Sequence, residues 1–242
     1  MLQDVDLSYR NGMLQTDSTL VVGASGAIKF GAAADTDLYR LSANSLATDG
    51  ALTVFGSMLV GTNPVTGDSN NPNPSDNGFK AWSFDCANAT GSFTPVSGTL
   101  YLTAIPVHKP VTVTKLWWGM GAAANTPVSG QNFAGLFNSS GTLLQSVGID
   151  TQVAGSNGPQ NATITSTALA VGFYWVGILQ NATTPQQLVR STPAFLSIAN
   201  ANLAAASLRA CVNGTSLTAM PASITPASNS QSGAGIFWTA VS

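Results

Sequence analysis

Few side chains in this sequence can do acid–base or nucleophilic work. All ten acids are aspartates, there is no glutamate, and the remaining candidates are one histidine, His108, and two cysteines, Cys86 and Cys211. Eight of the ten aspartates fall at or before Asp76, so only Asp85 and Asp150 serve the rest of the chain. Glycoside hydrolysis needs two carboxyl groups flanking the scissile bond, and Asp85 with Asp150 is the only pair available there. A Ser-His-Asp arrangement would have to recruit His108. That residue precedes Lys109-Pro110 in what reads as a solvated hairpin tip, and no Gly-x-Ser-x-Gly elbow is present. Two cysteines and one histidine do not suffice for a structural zinc site. Asp4/Asp6 and Asp35/Asp37 come nearest to a hard-metal cluster, and their recurrence suits turn or cap roles before calcium. The expectation is a protein that is not an enzyme and holds no cofactor or metal. A site shared between subunits, borrowing acids from the first third, is the one arrangement that would restore the missing carboxylates.

The aromatic residues offer binding chemistry instead. Trp117-Trp118, Tyr174-Trp175 and Phe237-Trp238 are adjacent pairs in strand-like runs. Strand faces alternate, so one ring of each pair points inward and the other outward. The outward rings either pack at a subunit interface, where aromatics are enriched, or form a platform for the face of a sugar. Cys86 and Cys211 lie near the two ends of the same region. They are open to two readings, a disulfide or two buried thiols acting as small hydrophobes, and cytosolic assembly favours the thiols.

The elements that must position these groups are strands. Charged residues make up 7% of the chain against 44% hydrophobic, with 24 glycines and 12 prolines. That excludes the usual disordered composition and fits an all-β protein with many turns. Candidate strands are 79–85, 99–107, 111–119, 132–137, 143–148, 161–170, 172–180, 186–191, 206–212 and 235–241. Alternation is clear in Leu100/Leu102/Ala104, Val111/Val113/Lys115 and Phe173/Trp175/Gly177. Turn signals at His108-Lys109-Pro110, Ser139-Ser140-Gly141 and Asn213-Gly214 separate them. The stretch 195–206 is rich in Ala and Asn and is compatible with a short helix or a loop. A two-sheet, jelly-roll-like β-sandwich over 79–242 is the expected head domain.

The first 62 residues are organised differently. Asp35-Thr36-Asp37-Leu38-Tyr39-Arg40 leads to Leu46-Ala47-Thr48-Asp49-Gly50-Ala51-Leu52-Thr53-Val54, and the same phrase occurs 31 or 32 residues earlier, from Asp4 to Gly23. Its kernel, Leu-x-Thr-Asp-x-x-Leu-x-Val, is a turn followed by two apolar residues on one strand face. Such a unit has a narrow apolar stripe (Leu14, Leu20, Val22, Leu38, Leu46, Leu52, Val54) and little to bury it against. Repeat arrays need three or more stacked units to stand alone, and two are present. Sister copies around a shared axis would supply the rest. The expectation is an interwoven β stalk over 1–62, as a homotrimer, then a Pro/Asn-rich linker over 63–78 and the head.

The phrase from Asp35 to Val54 resembles a repeat in tail-fibre and minor tail proteins of bacteriophages, notably those of actinobacterial hosts. From Phe79 onward the chain also resembles a C-terminal module of such proteins, at Gly98-Thr99-Leu100-Tyr101-Leu102, Gly130-Gln131-Asn132-Phe133-Ala134-Gly135-Leu136-Phe137, Gly172-Phe173-Tyr174-Trp175-Val176 and Pro221-Ala222-Ser223-Ile224-Thr225-Pro226. The resemblance implies a virion protein whose N-terminal region contacts other virion proteins and whose head meets a host surface glycan. Two alternatives are a capsid-decorating or tail structural protein with no receptor, and a cell-wall depolymerase. The opening residues lack a charged and apolar leader, so synthesis in the host cytoplasm and release by lysis are expected. A net charge of −2 without a basic stripe argues against nucleic acid, and no apolar run approaches the length of a membrane span. The five Asn-x-Ser/Thr sequons, at Asn88, Asn138, Asn161, Asn181 and Asn213, follow from composition.

Overall fold

The computed structural model of the chain describes residues 72–155, 157–191, 199–231, 233 and 235–242 in full, and before them the backbone of seven strands. The chain divides into two units, Met1–Asp68 and Ser69–Ser242. It is all-β, with one short helix among the described residues.

In the first unit, β1 (Tyr9–Arg10) pairs with β2 (Met13–Leu14). β3 (Ala27–Phe30), β4 (Thr36–Ser42) and β5 (Ser45–Ala47) form an antiparallel sheet, and β6 (Leu59–Val60) pairs with β7 (Asn63–Pro64). The sequence repeat is visible in the backbone. Tyr9 pairs with Leu14 in one copy and Arg40 with Leu46 in the other. The apolar runs that follow each copy become β3 and β6. Of the expected stripe, Leu14, Leu38 and Leu46 lie on β2, β4 and β5. Leu20, Val22, Leu52 and Val54 lie outside the described residues.

The second unit is a sandwich of two antiparallel sheets. One has the order β14 (Leu143–Gly148), β13 (Phe133–Asn138), β16 (Gly172–Leu179), β10 (Leu100–Val107), β19 (Ala210–Val212), β20 (Ser230–Gln231). The other runs β8 (Ala81–Trp82), β21 (Thr239–Val241), β11 (Val111–Met120), β18 (Leu188–Arg190), β9 (Gly91–Phe93), with β15 (Gly158–Leu169) along the free side of β11. A small ladder joins β12 (Asn125–Pro127) to β17 (Ala182–Thr184), and α1 (Asp150–Val153) bridges β14 and β15.

The two sheets bury a common core. Tyr101, Ile105 and Val107 of β10 meet Leu116 and Trp118 of β11, Ile164 of β15, Val176 and Ile178 of β16, and Phe237. Period-two alternation sends the other residues of β10 and β16 to the opposite face. There Leu100, Leu102, Trp175 and Leu179 form a second cluster with Phe137, Leu208, Cys211 and Ile224, roofed by the segment after β18. The second sheet has a roof of its own. Trp82, Trp238 and Ala240 pack with Phe79, Phe84, Cys86 and Trp117.

Two sequence expectations need correction. His108-Lys109-Pro110 is not a hairpin tip: β10 and β11 belong to different sheets, so the turn crosses from one to the other, with all three residues exposed. The alternation Val111/Val113/Lys115 also does not continue. A β-bulge intervenes between Val113 and Lys115, where the Thr114 and Lys115 N–H groups both donate to the Ser242 carbonyl at 2.6 and 2.9 Å. The strand changes phase at this irregularity, so Leu116 and Trp118 face the core instead of Lys115 and Trp117. Residues 74–78, expected within a linker, form a 3-10 turn. The Asn73 N–H donates to the Asp76 carboxylate at 2.8 Å, Gly78 closes the turn at φ 77°, and the Phe79 N–H returns to the Pro74 carbonyl at 2.9 Å.

Candidate functional site

That turn fixes Phe79 above the outer face of the β8–β21–β11 sheet. Its ring meets Trp117 and Trp238 edge-on, each at 5.5 Å between centroids, with Trp82 at 6.4 Å. Lys115 stands 5.8 Å over the Trp117 ring, whose Nε1–H donates to the Ser242 hydroxyl at 2.9 Å. After β8, the Asp85 carboxylate accepts the Ala87 N–H at 3.0 Å and so caps a second 3-10 turn, Cys86–Asn88. The turn holds Cys86 where the Asn77 amide donates to its sulfur at 3.0 Å.

Beside this cluster opens a groove of about 400 Å³, lined among others by Asn77, Phe79, Cys86, Pro159, Val189 and Trp238. Among the described residues no charged side chain lines it. Trp238 is 5% exposed, yet its indole N–H has no hydrogen-bond partner. A buried donor left unpaired costs about 1–3 kcal/mol, which sets it apart from three of the other indoles. Trp118 donates to Gln186 Oε1 at 2.8 Å, Trp175 to the Leu208 carbonyl at 2.9 Å, and Trp117 as above.

Each aromatic pair splits across its sheet, as alternation requires. Trp118, Tyr174 and Phe237 face the central core; Trp175 lies under the first roof, and Trp117 and Trp238 under the second. The rings on the outer faces are covered by the chain's own loops. Trp175 is fully buried and Trp238 nearly so, while Trp117 is half-buried. No ring of the six lies flat on the surface as an open platform; Trp238 is one wall of the groove.

The three acids of this unit, Asp76, Asp85 and Asp150, each accept a backbone N–H. Asp85 is the cap just described. The Asp150 carboxylate accepts the Gly130 N–H at 2.6 Å, the Asn132 amide at 2.8 Å and the Ser129 hydroxyl at 3.4 Å. The Gly130 N–H foremost, with the Asn132 amide, holds its pKa below the ordinary 3.8. Asn132 is fully buried and donates also to the Val128 carbonyl at 2.8 Å, while its own carbonyl accepts the Asn181 N–H at 2.8 Å. Asn181 continues the chain of bonds to the Gln131 and Leu217 carbonyls. One carboxylate and two amides thereby clasp four loops. Among the described residues there is no group of three His, Cys, Asp or Glu side chains suited to a metal ion.

Cys86 and Cys211 are free thiols, packed on opposite outer faces of the sandwich. Burial pushes the Cys211 pKa up to about 12. A second buried polar hub joins the core to a loop. Gln186 accepts from Trp118, donates to the Gln152 carbonyl at 2.9 Å and to the Met120 sulfur, and gives its backbone N–H to Gln180 at 2.7 Å. Neither the Asn132 clasp nor the Gln186 hub is anticipated by a sequence motif. The nearest hint is Asp150 itself, an isolated acid in a stretch almost without charge. No protein-family model matches the chain, and no curated protein matches it in sequence.

Proposed function

We propose that the chain is a structural fibre protein of a bacteriophage virion, held as a trimer by its N-terminal repeats, with its sandwich domain turned toward the host cell surface. The observation that carries this is the twice-written Leu-x-Thr-Asp-x-x-Leu-x-Val phrase, each copy with too little apolar surface to fold unaided. The order of strands is repeated with it, from β1 to β3 and again from β4 to β6. A shaft that assembles only with sister copies, leading into a rigid head, is the organisation of a fibre. Several weak sites on one particle then act together, where avidity adds about 10²–10⁴ without new contacts.

A second reading, a spacer or decorating protein with no receptor, draws support from the covered aromatic rings. Hydrolysis of the cell wall is third, since Asp85 and Asp150 are both committed to backbone donors. The full chain, fluorescently labelled and titrated onto candidate host cells, separates the first two: saturable binding supports the fibre with a receptor, and none on any host supports the spacer. Reducing sugar released from cell walls would revive the third. Sedimentation equilibrium tests the trimer of 24.6 kDa chains; a monomer at micromolar concentration would remove the shaft from the argument.

A further inference from the structure

We propose that the uncharged flank of the sandwich formed by β14 and β15 is where sister heads meet, β14 of each copy against β15 of the next; the inference rests on the trimer reading above. From Leu116 to Val189 the chain carries a single charged residue, Asp150, and its carboxylate is taken up by Gly130, Ser129 and Asn132. Both strands belong to that stretch. They lie side by side, one from each sheet, and no ladder joins them. Among the described residues each pairs on one side only, β14 with β13 and β15 with β11. The other sheet edges are short: β8 and β20 have two residues and β9 has three. Lys80 precedes β8, and Arg190 stands 5.5 Å over Phe93 of β9. Shortness and charge are how natural sheets blunt an edge. β14 has six residues and β15 twelve, with no charge on either. The irregularity opposite Thr114 interrupts β15 but leaves regular ladder at Gly158–Thr163 and Thr167–Leu169. At one end the Gln152 amide donates to the Asn161 carbonyl at 3.2 Å; after it Thr163, Thr165 and Ala168 stay exposed. Leu144 and Val147 of β14 pack on the central core while remaining partly exposed. A surface without charge does not repel a copy of itself, and interface cores are depleted in charge. The two edges are unlike, so heads around a three-fold axis set β14 of one against β15 of the next, a head-to-tail contact that closes after three copies. At ~3.3 Å per residue β15 is about 40 Å long, and with sheets about 10 Å apart the flank covers about 400 Å² in outline. A free-standing interface takes about 800 Å² per partner. The repeats make up the difference by holding sister heads at high effective concentration.

Two full-length chains test this when co-expressed, one carrying Ser146→Cys and the other Thr165→Cys. Both also carry Cys86→Ala, which removes the accessible native thiol; Cys211 is buried. Positions 146 and 165 are exposed, on β14 and β15. A short bismaleimide can then join 146 to 165 only between chains. Peptide mapping should find that link, and sedimentation equilibrium of the same sample should give a trimer. A second measurement leaves β14 unaltered. Thr165→Lys in the full chain puts a cation into every contact. Backbone amides over 143–148 should then exchange with deuterium about tenfold faster than in the parent, the worth of one hydrogen bond near the upper end of its range. The mass should stay trimeric, since the repeats still hold the chains. A trimer without the 146–165 link, or with unchanged exchange over 143–148 in Thr165→Lys, overturns the proposal and spares the shaft. A monomer removes both.

Discussion

Replacing Asn132 tests whether the carboxylate–amide clasp holds the loops of the sandwich. Asn132→Ala removes two donated bonds and one accepted bond, each at 2.8 Å, from a residue that is fully buried. At about 1 kcal/mol net per bond, plus the cost of stranding the Asn181 N–H, the loss is about 3–4 kcal/mol. For a domain of this size that lowers Tm by about 6–15 °C. Asn132→Asp is the sharper variant. It keeps the acceptor for Asn181 but sets a carboxylate against Asp150, with repulsion of up to about 4 kcal/mol at an effective dielectric near 20. The pH dependence then reverses. In the parent, the Asp150 pKa lies below the ordinary 3.8, so its contribution is full above that value and is lost as pH falls through the depressed folded pKa. In Asn132→Asp, the crowded pair holds one proton more tightly folded than unfolded, so stability is regained as pH falls through the raised value. Urea unfolding at pH 7 and at about pH 4.5 should show the gap between parent and variant narrowing. A gap that stays constant, or a loss in Asn132→Ala of under about 1 kcal/mol, would refute the clasp.

Four further outcomes are expected. Gly141 has φ +88°, and a Cβ there would lie 2.2 Å from the Ile224 carbonyl oxygen, so Gly141→Ala should cost about 3 kcal/mol or more by chemical denaturation. Gly91→Ala, whose Cβ meets nothing within 4 Å, should stay within about 0.5 kcal/mol. In a maleimide assay of the folded protein, half-buried Cys86 should label first and Cys211 only on unfolding, with no mass change on adding reductant. Gln186→Leu strands the Trp118 indole and the Gln152 carbonyl in the core; it should cost about 2–4 kcal/mol in thermal unfolding followed by circular dichroism.

The long strands were legible because burial on at least one face gives them a period of two. The run expected at 99–107 is β10 at Leu100–Val107, and 172–180 is β16 at Gly172–Leu179. The edges were not legible. Gly91–Phe93, Asn125–Pro127 and Ala182–Thr184 have three residues each, two of them in Ser/Thr/Asn/Pro-rich runs where no alternation can develop. That one ring of each aromatic pair faces the core was readable from adjacency. Which ring does so at Trp117-Trp118 was not, because the bulge is set by the Ser242 carbonyl, far away in sequence. The covering of the outer rings was hidden for a similar reason: the roofs are irregular loops brought back by the fold. The candidate groove likewise depends on Asn77, Val189 and Trp238, which no local pattern connects.

The strand Thr239–Val241 lies between β11 and β8, bonded on one side to residues 116–118 and on the other to Ala81 and Trp82. The sheet's oldest and newest stretches, in order of translation, are therefore neighbours. While the ribosome still holds residue 241, Ala81 and Trp82 have no partner and the Phe79–Trp238 lid does not exist. Closure by such distant pairing is slow compared with local folding, and the nascent head waits with two sheet faces uncovered. Exposed edges of that kind invite association between chains.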